Sequence, residues 1–316
     1  LVDYDLLFEA MYPSEPIAHA PNPEDDLPDS PEQIPLSPNG CLYLFTSLIF
    51  SITMFQTKTP EPTMAIFPDH AKLMTQFFEP AAEAPLSIAD AILAIGLWLE
   101  HRNKFVSGEF KDNDFIAHLR ALSVWSATNP SPGLRYCAHI LTSAILHAHP
   151  ADTTRLTFIS KTLQDIPDQV PFAEALKASA ITWLKEEFIT AHERKAENIF
   201  STTGPLLATK QSIFLNLPSL ESLSDEELLE TLIRSFSLHM AVLNFLFFIS
   251  AEQYKTVVPD GMMKEVETSF LGPLQSAQAR ALKTLGSSED EEPSPHMEME
   301  LLGEQISMCL AKLHEI

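Results

Sequence analysis

The chain has 316 residues and a mass of 35.2 kDa, enough for one large or two ordinary domains with a core that needs no disulfide or metal staples. Its 45% hydrophobic content and mean hydropathy near zero fit a soluble globular protein, whereas 20 Lys and Arg against 43 Asp and Glu leave a net charge of −23. A surface this acidic repels phosphate, and no Lys/Arg-rich run offsets it, so direct nucleic-acid binding is disfavoured and a basic protein or peptide is the expected partner.

Leu (42) and Ala (31) far outnumber Val (8). Because Leu and Ala lose little side-chain freedom in a helix while β-branched residues favour strands, an all-α fold is predicted. Residues 1–40 hold eight prolines, nine acidic residues and no Lys or Arg. Beyond a short helix at Asp3–Met11 they read as an acidic, Pro-rich extended segment. The chain opens on Leu1 rather than Met, which reads as part of a longer protein.

From Cys41 the pattern becomes helices separated by Pro-marked breaks: Cys41–Gln56, then a Pro-rich loop, then Asp69–Glu79. The next begins at Ser87-Ile88-Ala89-Asp90, where the Ser87 hydroxyl can cap the first turn. Ile88, Ala91, Ile92, Ile95, Trp98 and Leu99 then form one apolar stripe. Further starts fall near Asp112, Ser131, Ala151 and Pro171. Units of about 20 residues and pairs of about 40 approach the period of HEAT and armadillo arrays, in which no pair buries its own apolar face. An irregular HEAT-like repeat is therefore predicted, with a non-repetitive helical bundle as the alternative.

Later helices are longer. One runs from about Pro171 to Ser201. The next starts at Ser224 with Glu227 and continues through Ile249, turning apolar all round at Val242–Ile249. Helices at Gly261–Phe270 and Pro273–Leu285 are expected to part at Gly272-Pro273. A charged break over 286–296 precedes a final helix at about 297–316 that packs on the 41–285 repeat domain. The most apolar runs, Cys41–Phe55 and Met240–Ile249, fall short of the roughly 20 residues that cross a bilayer and read as buried helices, with no membrane partner.

No reaction is legible. Neither G-x-G-x-x-G nor G-x-x-x-x-G-K-[ST] nor G-x-S-x-G occurs, and H-E-x-x-H is absent. Cys137, His139, His147 and His149 are the densest cluster of metal-ligand types, but their spacing fans them around a helix, so no metal or cofactor is expected. An all-α enzyme with a metal or small-ligand site drawn from distant helices is the alternative of another class. Cys41, Cys137 and Cys309 give no disulfide framework and suggest a reducing compartment, the cytoplasm or nucleus. Cys309, near the chain end, is the candidate redox thiol, since Cys41 and Cys137 lie in apolar runs. Glu289, Asp290, Glu291 and Glu292 form the sharpest charge cluster and are candidate contacts for a Lys/Arg-rich partner, with Ser288 and the Ser-Pro residue Ser37 as candidate phosphorylation sites.

The acidic start, the Leu/Ala-rich helix pairs, the stretch from Glu24 to Leu42 with its Ile34-Pro-Leu-Ser-Pro-Asn-Gly40 turn, and the Tyr136-Cys-Ala-His-Ile-Leu-Thr142 helix give a resemblance over most of the chain: it resembles the fungal Yap-binding branch of the glomulin-like family. That resemblance implies a helical-repeat protein without catalysis that acts by binding proteins. Fungal relatives are associated with a redox-responsive bZIP transcription factor in oxidative stress and with kinetochore proteins. The animal relative holds the RING subunit of cullin ubiquitin ligases. No contact motif is matched residue by residue, so the resemblance assigns no binding residue.

Overall fold

The structure is a computed structural model that describes residues 11, 37–56, 61–77, 85–108, 111–166, 172–214, 220–286 and 293–315. Among these residues it is all-α, with thirteen α-helices, short 3-10 and π turns, one isolated β-bridge and no strand. The sequence reading of Asp3–Met11, most of the extended lead and the acidic tract lie outside the described residues. Contacts within the chain group it into two units, 1–148 and 149–316.

Unit 1 comprises α1 (Pro38–Phe55), α2 (Asp69–Phe77), α3 (Leu86–His101), α4 (Asp112–Thr128) and α5 (Pro132–Ala148). Helices two apart stack: α1 on α3, α2 on α4 and α3 on α5, while α4 and α5 form a hairpin across three residues. Such layering is how a helical repeat buries faces that no single pair can cover. Phe45, Leu73, Ile92, Leu99, Phe115, Leu119 and Leu141 are fully enclosed. Between α1 and α2 the chain is clipped to the strand-like turn after α3: Ile66 and Phe67 donate to Lys104 O and Phe105 O, and Ser107 donates to Phe67 O, each at 2.9 Å. Gly96 admits close packing on α3, since a Cβ there would lie 2.5 Å from Leu141 Cδ2 and 2.7 Å from His70 Nε2.

Unit 2 comprises α6 (Asp152–Gln164), α7 (Ala173–Arg194), α8 (Gly204–Phe214), α9 (Asp225–Arg234), α10 (Phe236–Ile249), α11 (Met262–Val266), α12 (Gly272–Leu285) and α13 (Pro293–His314). Its stacking is less regular. α7 packs on α6 and α10, α10 on α13, and α12 on α9 and α13. An aromatic chain runs through the core, with ring centroids 6.2 Å apart for Phe188–Phe200, 6.3 Å for Phe188–Phe245, 6.3 Å for Phe214–Phe245 and 6.0 Å for Phe214–Phe270.

Local chemistry explains where the sequence reading and the helices differ. α1 starts at Pro38 rather than Cys41, because the Ser37 side chain accepts from Gly40 N–H at 3.1 Å and Pro38 needs no donor in the first turn. Ser87 does not cap α3; its hydroxyl is paired with Tyr43 Oη of α1 at 2.7 Å, and Pro85 precedes the helix instead. The capping box at Ser224 and Glu227 is formed, but the helix behind it breaks at Ser235 with a bend of 65°. There the Ser235 hydroxyl donates to Thr231 O at 2.6 Å, competing with the helical ladder. Gly272-Pro273 parts nothing: a π turn over Glu267–Leu271, in which Gly272 N–H bonds Glu267 O, widens the helix ahead of the proline and carries the chain straight into α12. α7 ends at Arg194, with Lys195 in the left-handed region, rather than running to Ser201.

Candidate partner-binding site

α1 contains no charged residue over its 18 positions. Cys41, Leu42, Phe45, Ile49 and Ile52 recur at helical spacing and are buried in unit 1. The opposite stripe, one turn apart at Tyr43, Ser47, Phe50 and Met54, is exposed together with Leu44 and Phe55; Phe50, Met54 and Phe55 are 54%, 70% and 78% exposed. The reading of Cys41–Phe55 as a buried helix is therefore right for one face only. By length and composition α1 is also the one described helix able to span a membrane alone, and the bent α9–α10 pair passes the same test jointly. Adjacent exposed apolar side chains on one helix face are the mark of an interaction surface.

Ser37 caps this helix and is exposed, so the candidate phosphorylation site stands at the N-terminus of the exposed stripe's own helix. The other acidic and phosphorylation candidates, Ser288 and Glu289, Asp290, Glu291 and Glu292, lie outside the described residues.

The thiols fall differently from the sequence reading. Cys309 is buried on α13, its thiol donating to Leu243 O at 3.3 Å, and burial pushes its pKa up to about 11. Burial also raises the Cys41 thiol. A protonated, enclosed thiol is a poor nucleophile, so the placement argues against Cys309 as the redox group. Being near the chain end said nothing about the neighbour α10 that covers it. Only Cys137 is partly accessible. In native protein Ellman's reagent is expected to modify one thiol, and a Cys137→Ser variant to show none until denaturant is added; rapid native labelling of Cys309 would contradict this.

The histidines that come together are not those of the Cys137–His149 group. His139 and His147 stay on α5, and His149 lies beyond its end, where its Nδ1 accepts from Ala151 N–H at 3.2 Å. His70 of α2 and His118 of α4 instead meet inside unit 1. Nε2–H of His70 donates to Ile92 O at 2.9 Å, which leaves its Nδ1 to accept from His118 Nε2–H at 3.3 Å. His118 Nδ1 is then a buried lone pair with no partner among the described residues. Burial drives the His70 pKa down to about 4 and that of His118 well below its ordinary value, the latter also through the neighbouring imidazole. A signal existed: His118 shares the stripe of Phe115, Leu119 and Leu122. Among the described residues no three His, Cys, Asp or Glu side chains converge as metal ligands do.

Unit 2 holds a cleft of about 290 Å³ between the end of α7 and the 3-10 turn Glu252–Val257. Phe188, Phe200 and Tyr254 line it with aromatic rings, and Lys195 stands at its edge as a cation, with His192 beside it. Behind it the buried Arg155 clamps Glu187 through two bonds, Nε–H to Oε1 at 2.7 Å and Nη2–H to Oε2 at 3.0 Å, and its guanidinium lies 5.6 Å from the Phe200 ring. The sequence offered no sign of this cleft, because its walls come from separate segments that span 69 positions, Phe188 to Val257.

No curated protein and no solved structure matches the chain. A family model does, over residues 3–305, described as an uncharacterised protein family, YAP/Alf4/glomulin. That match spans nearly the whole sequence, agrees with the all-α repeat-like fold, and carries the general character of a protein-binding family. The chain belongs to the YAP/Alf4/glomulin family.

Proposed function

We propose that this protein is a non-catalytic regulator that binds a basic protein partner, a redox-responsive bZIP transcription factor of the oxidative-stress response, in the cytoplasm or nucleus. The observation that carries the reading is the uncharged, outward-facing stripe of α1 directly following, in sequence, a lead segment with nine acidic residues and no Lys or Arg. Such a pairing suits a partner helix with apolar residues flanked by Lys and Arg. Charge at net −23 steers encounter and rejects acidic competitors, and Phe50, Met54 and Phe55 supply the anchors that hold the complex. Family membership supports a protein partner in general; the bZIP identity rests on the family resemblance.

The test is a titration of the purified chain with the bZIP protein, with and without the double substitution Phe50→Gln and Met54→Gln, which removes the apolar anchors without changing the charge. Both side chains are exposed, so the variant keeps its melting temperature while affinity falls tenfold or more, and raising salt from low to high ionic strength weakens the native complex by a similar factor. Affinity indifferent to both salt and substitution would overturn the proposal. Capture of a RING subunit in place of the bZIP protein would redirect it to ligase inhibition, and partition into lipid vesicles through α1 would replace it by membrane attachment.

A further inference from the structure

We propose that the cleft at the end of α7 is a second binding site, specific for an aromatic residue flanked by carboxylates and presented by an acidic peptide of a partner protein. Its volume of about 290 Å³ has room for one large aromatic side chain, which would lie over the edges of Phe188, Phe200 and Tyr254, rings that are 1%, 1% and 4% exposed. The polarity of its edge is opposite to that of the rest of the molecule. Among the described residues no Asp or Glu lines this cleft, whereas Lys195 does.

Lys195 is placed there at a backbone cost. It sits at φ 49°, ψ 42°, the left-handed conformation in which a helix end ordinarily uses Gly because a Cβ is disfavoured. The helix end does not need this cation for its dipole, since His192 and Arg194 already stand in the last turn. Lys195 is exposed and has no carboxylate partner among the described residues. The side chain is thus free to meet an incoming carboxylate, and the aromatic wall is fixed beforehand. Phe200 N–H donates to the Asn198 side chain at 3.0 Å, Ile199 N–H to Asp152 Oδ2 at 2.8 Å, and Arg155 backs the ring. A rigid pocket loses little freedom when filled. The occupant carries the opposite charge to the partner proposed for α1 and touches other residues, so either site can fail without the other.

The probe is a short acetylated and amidated peptide, Gly-Asp-Trp-Asp-Gly, with a fluorine on its indole, compared by ¹⁹F NMR with its Asn-for-Asp counterpart. The acidic peptide is expected to bind about fivefold or more tightly than the neutral one, as a charge-assisted contact at a partly exposed site allows. Lys195→Gly relieves the backbone, so its melting temperature stays the same or rises while the preference for the acidic peptide disappears. Thr256→Trp, at an exposed lining position, fills the cleft and abolishes binding of both peptides without unfolding the chain. Equal affinity for the two peptides, no binding of either, or a Lys195→Gly protein that still discriminates would each overturn the proposal.

Discussion

Replacing Glu187 by Ala destabilises the protein by about 3–5 kcal/mol, because it leaves the guanidinium of Arg155 enclosed without its counter-charge. Arg155 and Glu187 are 9% and 2% exposed, and their two bonds at 2.7 and 3.0 Å use the planar fork fully. The third guanidinium nitrogen, Nη1, donates to His149 O, so the side chain cannot swing out to water without breaking that contact as well. For a unit of this size the loss corresponds to roughly 10 °C in melting temperature. The double substitution Arg155→Met with Glu187→Leu restores much of the loss, since the expense lies in an unpaired buried charge and not in the absence of the pair. Urea unfolding of the parent, Arg155→Met, Glu187→Leu and the double variant gives the cycle; a Glu187→Ala protein within about 1 kcal/mol of the parent would show that water reaches the site. The same substitution frees the backing of Phe200 and so also loosens the cleft.

Acid weakens unit 1 through its histidine pair. The His70 pKa is about 4 in the folded protein against an ordinary 6.5, so below pH 6.5 the unfolded chain binds the proton that the folded chain refuses. Stability from this group is complete above pH 6.5 and falls as the pH drops toward 4, by about 3 kcal/mol in all. His118, shifted the same way, adds to the slope. Unit 2 has one comparable group, His239, also lowered to about 4 by burial, so its decline is shallower. Protonation of carboxylates relieves the net charge of −23 over part of the same range, which makes a comparison necessary. The quantity to measure is the denaturation midpoint of the parent and of His70→Gln/His118→Gln at pH 7.5 and 4.5, read by fluorescence of Trp98 and Trp125 in a Trp183→Phe background. The parent is expected to lose ground to the variant on acidification. Parallel curves would mean that the pair is protonated, or hydrated, in the native state.

Much of the local architecture is legible in the sequence. The ratio of Leu and Ala to Val fixes the helical class, because it reflects how much side-chain freedom each residue gives up within a few residues of itself. Starts near Asp112, Ser131 and Ala151 agree with helices at Asp112, Pro132 and Asp152, and the Ser224–Glu227 box is formed. These signals succeed because a cap needs only neighbours two or three positions away. They fail where a distant group competes for the same atom. Ser87 carries a capping signature, yet its hydroxyl lies beside Tyr43. Ser235 interrupts a stripe that is continuous in sequence, and the π turn at Glu267–Leu271 erases a break that Gly272-Pro273 announces.

The candidate sites divide along the same line. Charge, the absence of catalytic words and the family are properties of the sequence alone, since they are counts and local patterns. The accessibility of Phe50 and Met54, the enclosure of Cys309 beneath α10, the meeting of His70 with His118, and the cleft edged by Lys195 were decided by tertiary packing. Each depends on which helix covers which face, and a helix's own periodicity specifies an apolar stripe without saying whether a neighbour, a partner or water will lie against it.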